Sequence, residues 1–129
     1  MSARIVAGVD CSTQSTKVLL VDADTGGVLA SGRAPHAVTG AGGASETDPT
    51  IWWDALAEAL AATGMEGEVA AISVAGQQHG LVVSDEAGRP LRPAILWNDT
   101  RSAPDAEALV ADLGPAWWAS EIGSVPVAS

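Results

Sequence analysis

An α/β fold whose sheet carries an antiparallel hairpin at one edge is predicted by three features of this 129-residue sequence. Short β-branched apolar runs alternate with turn formers at the start of the chain, an amphipathic segment with start and stop signals follows, and further apolar runs come after it. The connections between the first three runs are too short for crossover helices, which leaves antiparallel neighbours. The order β-β-β-α-β-β-β-α then describes a sheet with helices packed on it.

The first two strands are residues 4–9 (Arg-Ile-Val-Ala-Gly-Val) and 17–22 (Lys-Val-Leu-Leu-Val-Asp), each bounded by turn residues. Asp22-Ala-Asp-Thr-Gly-Gly27 is a turn, and Val28-Leu-Ala-Ser-Gly-Arg33 is the third strand. A Gly/Ala-rich loop from Pro35 to Thr47 ends at Asp48-Pro49, an N-cap acid followed by proline at the first helical position. Trp52, Ala55, Leu56, Ala59, Leu60 and Thr63 then recur at helical spacing up to Gly64, where a C′ glycine belongs.

Val69 to Ala75 is predicted as a buried strand, broken by Gly76-Gln-Gln-His-Gly80, after which Leu81 to Ser84 resumes the apolar run. Asp85 to Pro90 is a turn and Pro93 to Trp97 another strand. Ser102 caps a helix through about Leu113, stopped by Gly114-Pro115, and Trp117 to Ile122 adds a further turn or two. The tail Gly123-Ser-Val-Pro-Val-Ala-Ser129 is apolar with no capping signal, as expected of a chain that continues. An apolar strand left open at the sheet edge by truncation would be prone to aggregate.

Six Lys and Arg against sixteen Asp and Glu give a net charge of −10. With a pI near 4.2, the surface repels phosphate backbones and anionic lipid, which argues against nucleic-acid and membrane partners. No run reaches the roughly 18–20 apolar residues of a membrane helix, and an acid at Asp10 comes too early for a signal peptide. A cytoplasmic location is expected. One cysteine cannot form an internal disulfide, and with two distant histidines it makes a poor zinc set.

Five Trp stand beside no Phe or Tyr, and Trp52-Trp53 and Trp117-Trp118 are adjacent pairs. Neighbours on a helix cannot both face inward, so one of each pair is expected to be partly exposed. Trp52 and Trp53 are assigned to packing, Cys11 to a small buried hydrophobe and His36 to a solvated loop. Arg101, near a helix start, can either pair with an acid or reach a phosphate.

The chemistry concentrates in Gly8-Val-Asp-Cys-Ser-Thr-Gln-Ser-Thr-Lys17. A tight turn of small hydroxyl residues can aim backbone N–H groups into one concavity suited to phosphate oxygens. Asp10 beside it can hold a magnesium-bound water, and Lys17 can supply a point charge. The alternative is a plain β-hairpin with a polar turn. In Gly76-Gln-Gln-His-Gly80 a glycine at each end allows sharp turns that present polar side chains, as in a sugar site or in an ordinary surface bulge. Trp97 can stack on a sugar's C–H face with Asn98 and Asp99 at the rim, or it can be a core tryptophan before a polar turn.

The first loop resembles the phosphate loop of sugar kinases in the actin/Hsp70/hexokinase superfamily, with a ribonuclease H-like first domain. Ser45-Glu-Thr-Asp-Pro49 with Trp52-Trp53, Gly76 to Gly80, and Arg92-Pro-Ala-Ile-Leu-Trp-Asn-Asp-Thr-Arg101 resemble, in order and spacing, segments of the FGGY carbohydrate kinases. Those acting on D-xylulose stand nearest. The resemblance covers residues 1–129 as the N-terminal part of the family's first domain.

It implies transfer of the ATP γ-phosphate to D-xylulose, giving D-xylulose 5-phosphate, with ATP and Mg2+ bound at Asp10, Ser12, Thr13, Gln14, Ser15, Thr16 and Lys17. Asp10 would reach the magnesium through water. Gln78, His79, Trp97, Asn98 and Asp99 would contact the sugar. Glycerol kinases of the family carry Arg-Glu where Gln78-His79 stand, so the pair favours a ketopentose. Many members carry glycine where Ser12 stands and a small apolar residue where Cys11 stands; a β-carbon at position 12 narrows the turn's φ/ψ options.

The family's catalytic aspartate and most of its adenine pocket correspond to positions beyond Ser129. No catalytic residue is therefore assigned, and the 129-residue chain alone is expected to be inactive. A homodimer of the full-length enzyme is compatible with the family. The alternatives are another sugar or polyol kinase, such as a gluconokinase or ribulokinase, and a non-catalytic nucleotide- or sugar-binding module of the same fold.

Overall fold

The computed structural model describes residues 4–128. The elements are β1 (Ile5–Cys11), β2 (Ser15–Asp22), β3 (Val28–Pro35), β4 (Glu46–Thr47), α1 (Thr50–Ala61), β5 (Val69–Gly76), β6 (Ala94–Ile95), α2 (Ala103–Leu113) and α3 (Pro115–Glu121). The main sheet has the order β3-β2-β1-β5. The first three strands are antiparallel, as their short connections require, and β5 returns parallel to β1 after the chain has crossed through α1.

Alternation along the strands decides which face is covered. Ile5, Ala7 and Val9 of β1 and Val18 and Leu20 of β2 are buried and pack with Ala34 of β3 against Ala55 and Ala59 of α1. A fully buried Leu or Val contributes about 1.5–3 kcal/mol, so Val18, Leu20 and Leu96 carry much of what so small a core can supply. Gly32 lets α1 come this close: a Cβ there would lie 1.8 Å from the Ala59 carbonyl oxygen.

The helix ends follow the predicted signals. Asp48 Oδ1 accepts the Thr50 N–H at 2.9 Å and the Thr50 hydroxyl at 2.8 Å, while Pro49 is already helical. After α1 the chain leaves through Gly64, whose φ of +67° is in the left-handed region that glycine adopts without strain. Ser102 precedes α2 but does not cap it as expected: its side chain makes no hydrogen bond to the first turn, and its carbonyl only accepts the first helical bond, from the Ala106 N–H.

Three expectations are corrected. Val69–Gly76 is a strand but not a buried one, because it lies at the sheet edge, where only Val69 packs against the core under α1; Ile72 is 50% and Val74 57% exposed. Leu81 to Ser84 forms only isolated bridges, Leu81 to Ile95 and Ser84 to Pro90. The strand expected over Pro93 to Trp97 shrinks to Ala94–Ile95, paired antiparallel with Glu46–Thr47 inside the segment read as a loop.

Each tryptophan pair divides as helical geometry requires. Trp53 is 72% exposed while Trp52 is half-buried, and Trp117 is more open than Trp118, whose indole N–H donates to the Leu109 carbonyl at 2.9 Å. Among the described residues no helix is long and apolar enough to cross a membrane.

Candidate functional site

Parallel pairing of β1 with β5 brings their carboxyl ends to the same edge of the sheet, with Cys11 opposite Gly76. The loop after each strand therefore emerges there, and the Gln77 N–H donates to the Cys11 carbonyl at 3.0 Å. Ligand sites of α/β sheets recur at this end of parallel strands. Thr13 of the first loop lies near Gln77 of the second, Oγ1 to Oε1 at 3.4 Å. A third segment arrives from β6, and Trp97 Nε1–H donates to Thr13 Oγ1 at 3.0 Å.

The result is an open cleft of about 510 Å³ bordered by the turn Ser12 to Ser15, by Lys17 and Arg33, and by Trp97 and Asn98. Five of the seven residues expected to meet phosphate and two of the five expected to meet sugar thus share one cleft. Asp10 lies immediately beside it on the exposed face of β1, its Oδ2 3.3 Å from Lys17 Nζ. Both side chains are about half exposed, so their mutual attraction is weak and either can be redirected.

The turn itself is tighter than its sequence suggests. Ser12 donates both its N–H and its hydroxyl to the Ser15 carbonyl, each at 3.0 Å, which directs them into the turn. Thr16 is fully buried on the face covered by α1, and its hydroxyl approaches Cys11 Sγ at 3.5 Å. Cys11 is half-buried rather than fully enclosed.

Gln78 and His79 project from the loop after β5, both exposed and outside the cleft border. His79 has a φ of +59°, a conformation non-glycine residues seldom adopt and one that concentrates at functional turns. Asp99 is not at the rim: it is 3% exposed. Its carboxylate accepts the Ser45 N–H at 2.9 Å and forked bonds from Arg101, which hold its pKa well below the usual carboxylate range. Arg101 also pairs with Glu46, and the two acids raise its own pKa further. Of its two expected roles, it takes the acid partner.

His36 is likewise not solvated. It is 7% exposed beneath the first loop, its backbone N–H donating to the Gln14 carbonyl at 2.9 Å. Its ring faces the carbonyls of Thr13 and Ser15 without a well-formed hydrogen bond, and burial lowers its pKa. Gln77, Arg33 and His36 were not singled out for the site from sequence. The signal for Gln77 was present in its place between the glycines, whereas Arg33 and His36 reach the loop only through strand pairing.

Magnesium carried on a nucleotide is met by one or two carboxylates together with phosphate and water oxygens. Asp10 fits that demand, being an exposed carboxylate at a strand end beside the loop. Such an ion needs no protein cage, and among the described residues no three His, Cys, Asp or Glu side chains cluster.

The chain is similar to carbohydrate kinases, among them xylulose kinases and a gluconate kinase from Lactobacillus acidophilus. It is 58% identical over 127 residues to the xylulose kinase of Streptomyces rubiginosus and 60% identical to that of Streptomyces coelicolor, covering 97% of this chain in each case. It spans 26% of the length of each of these relatives. The crystal structure of xylulose kinase from Bifidobacterium adolescentis superposes with a TM-score of 0.86 at 42% identity, covering 98% of this chain and 27% of that one. The expected α/β fold of the actin/hexokinase-like sugar kinases is therefore the one observed. The model of the FGGY family of carbohydrate kinases, N-terminal domain, matches residues 5–124, and the chain belongs to that family.

Proposed function

We propose that residues 1–129 form the N-terminal part of the first domain of a cytoplasmic, ATP-dependent kinase that converts D-xylulose to D-xylulose 5-phosphate. The observation that carries this reading is the junction of Thr13 with Trp97, which joins a phosphate-type loop to a sugar-type aromatic in one cleft. Identities of 58% and 60% to xylulose kinases support D-xylulose as the acceptor.

In the proposed reaction a hydroxyl oxygen of the sugar forms a bond to the γ-phosphorus, the bond from that phosphorus to the ADP oxygen breaks, and the hydroxyl proton passes to a carboxylate. That carboxylate is not assigned among these residues. Thr13, Gln14 and the backbone of the turn would hold phosphate oxygens, with Lys17 supplying charge. Ser12 and Thr16 serve by shaping the turn and anchoring it to the core. Bound magnesium, reached from Asp10 through water, would neutralise part of the phosphate charge.

Trp97 offers an apolar face to sugar C–H groups, and Asn98, Gln78 and His79 offer neutral hydrogen-bonding groups to its hydroxyls. Asp99 acts by positioning: with Arg101 it pins the segment that carries Trp97.

Protein captured from its source cells with an antibody against residues 35–50 is assayed with ATP and, separately, D-xylulose, L-ribulose, gluconate and glycerol. Preferential phosphorylation of D-xylulose is expected. Preference for another acceptor overturns the substrate, and sugar binding without ATP consumption supports a non-catalytic module instead. The isolated 129-residue chain is expected to show no turnover, and activity that disappears in Asp10→Ala would refute that expectation.

A further inference from the structure

Asp10, Lys17 and Arg33 stand directly opposite one another on β1, β2 and β3. Cross-strand partners share a face of the sheet, with Cβ atoms about 5 Å apart. All three are exposed, whereas Val9, Val18 and Ala34 beside them are buried under α1. The row therefore lies on the open face and runs along the border of the cleft.

The charges along this row do not cancel. Lys17 is paired with Asp10, so the two are close to neutral together. Arg4, Arg89, Arg92 and Arg101 each have a carboxylate within 4 Å. Arg33 has no carboxylate partner among the described residues, although the chain carries sixteen acids. An arginine left unpaired in so acidic a chain, at the border of a cleft lined by hydroxyls and amides, gives that cleft a local positive charge against a net −10.

We propose that Arg33 is a phosphate-binding residue of this site, its guanidinium contacting the terminal phosphate of the nucleotide beside Lys17. The proposal rests on the reading of residues 12–15 as a phosphate loop. A planar guanidinium can hold two phosphate oxygens at once, which the Lys17 ammonium cannot. Because Lys17 is shared with Asp10, Arg33 supplies the uncompensated charge that attracts a polyanion to an acidic protein.

The test is a titration of the 15N-labelled 129-residue chain with magnesium tripolyphosphate and with magnesium ATP, following the amide signals of Ser12 to Ser15. Arg33→Gln is expected to weaken binding by about tenfold, and Arg33→Lys to recover part of it, as for a charge-assisted phosphate contact. Arg89→Gln removes the same charge from a turn outside the cleft and is expected to leave binding unchanged. If Arg33→Gln binds like the parent while the loop amides still respond, the role of Arg33 is overturned and the phosphate loop stands. If the parent's loop amides do not respond to either probe, the phosphate-loop reading fails and takes the proposal with it. If Arg89→Gln weakens binding as much as Arg33→Gln, only overall charge matters and the specific contact is refuted.

Discussion

The indole N–H of Trp97 donates to the hydroxyl of Thr13 at 3.0 Å, joining residues 84 positions apart in the chain. One belongs to the turn between β1 and β2, the other follows β6, and the bond links the proposed phosphate and sugar halves of the site. Because Trp97 is half exposed, the bond is worth about 0.5–1.5 kcal/mol, enough to orient a turn but not to hold the fold. Trp97→Phe should keep the apolar face and the melting temperature while speeding amide exchange at Thr13 and Gln14. A double-mutant cycle with Thr13→Val checks this; additive effects on local exchange would mean that the two side chains are not coupled.

Asp99 should be a stability residue with a distinct pH signature. Its pKa is depressed chiefly by the hydrogen bonds from Arg101 and then by the Ser45 N–H. A carboxyl with a depressed folded pKa contributes stability that is present above its unfolded value near 4 and is lost as pH falls through the folded value. Asp99→Asn should therefore lower the melting temperature by several degrees at neutral pH and flatten the acid limb below about pH 4. Thermal melts from pH 7 to pH 2 decide it, and an unchanged acid limb would remove Asp99 from the account.

His36 predicts a loss at milder acidity. Burial lowers its pKa, so the unfolded chain binds the proton more readily than the folded one. Stability is then unaffected above the unfolded value near 6.5 and declines as pH falls below it towards the folded pKa. Between pH 7 and pH 5 the chain should become easier to unfold in urea, and His36→Gln should lose that slope. A slope that persists in the variant would assign it to another group.

Gly32 sets the distance between sheet and helix. Gly32→Ala places a methyl against the Ala59 carbonyl, so α1 must shift or the strand must bend. A destabilisation of about 1–3 kcal/mol is expected, as for other overpacked cores. Equilibrium urea unfolding gives the value, and a change under 0.5 kcal/mol would mean that the helix rides off the sheet at little cost.

Much of the fold was legible because its signals are local. The hairpin of β1 and β2, the helix between Asp48 and Gly64, and the break at Gly114-Pro115 each depend on residues close in sequence. The first loop and the Trp97 segment stood out in the sequence as candidates for phosphate and sugar, because hydroxyl-rich turns and strand-end tryptophans suit such ligands. Burial at Val69 to Ala75 was misjudged because an apolar run looks the same at a sheet's centre and at its edge. Asp99 was misplaced because Arg101, only two residues away, can be read either as its partner or as a ligand contact.

Taken alone, the sequence determined the antiparallel start of the sheet, the helix limits and the family resemblance, and it supplied the candidate residues for phosphate and sugar. Tertiary structure alone decided which of them meet. Pairing β1 with β5 put two loops at one edge, β2 to β3 pairing set Arg33 beside Lys17, and the return of the chain through β6 brought Trp97 to Thr13. The physical reason is that local propensity acts over a few residues, whereas strand register is set by which apolar faces can be buried together, and that choice involves the whole chain.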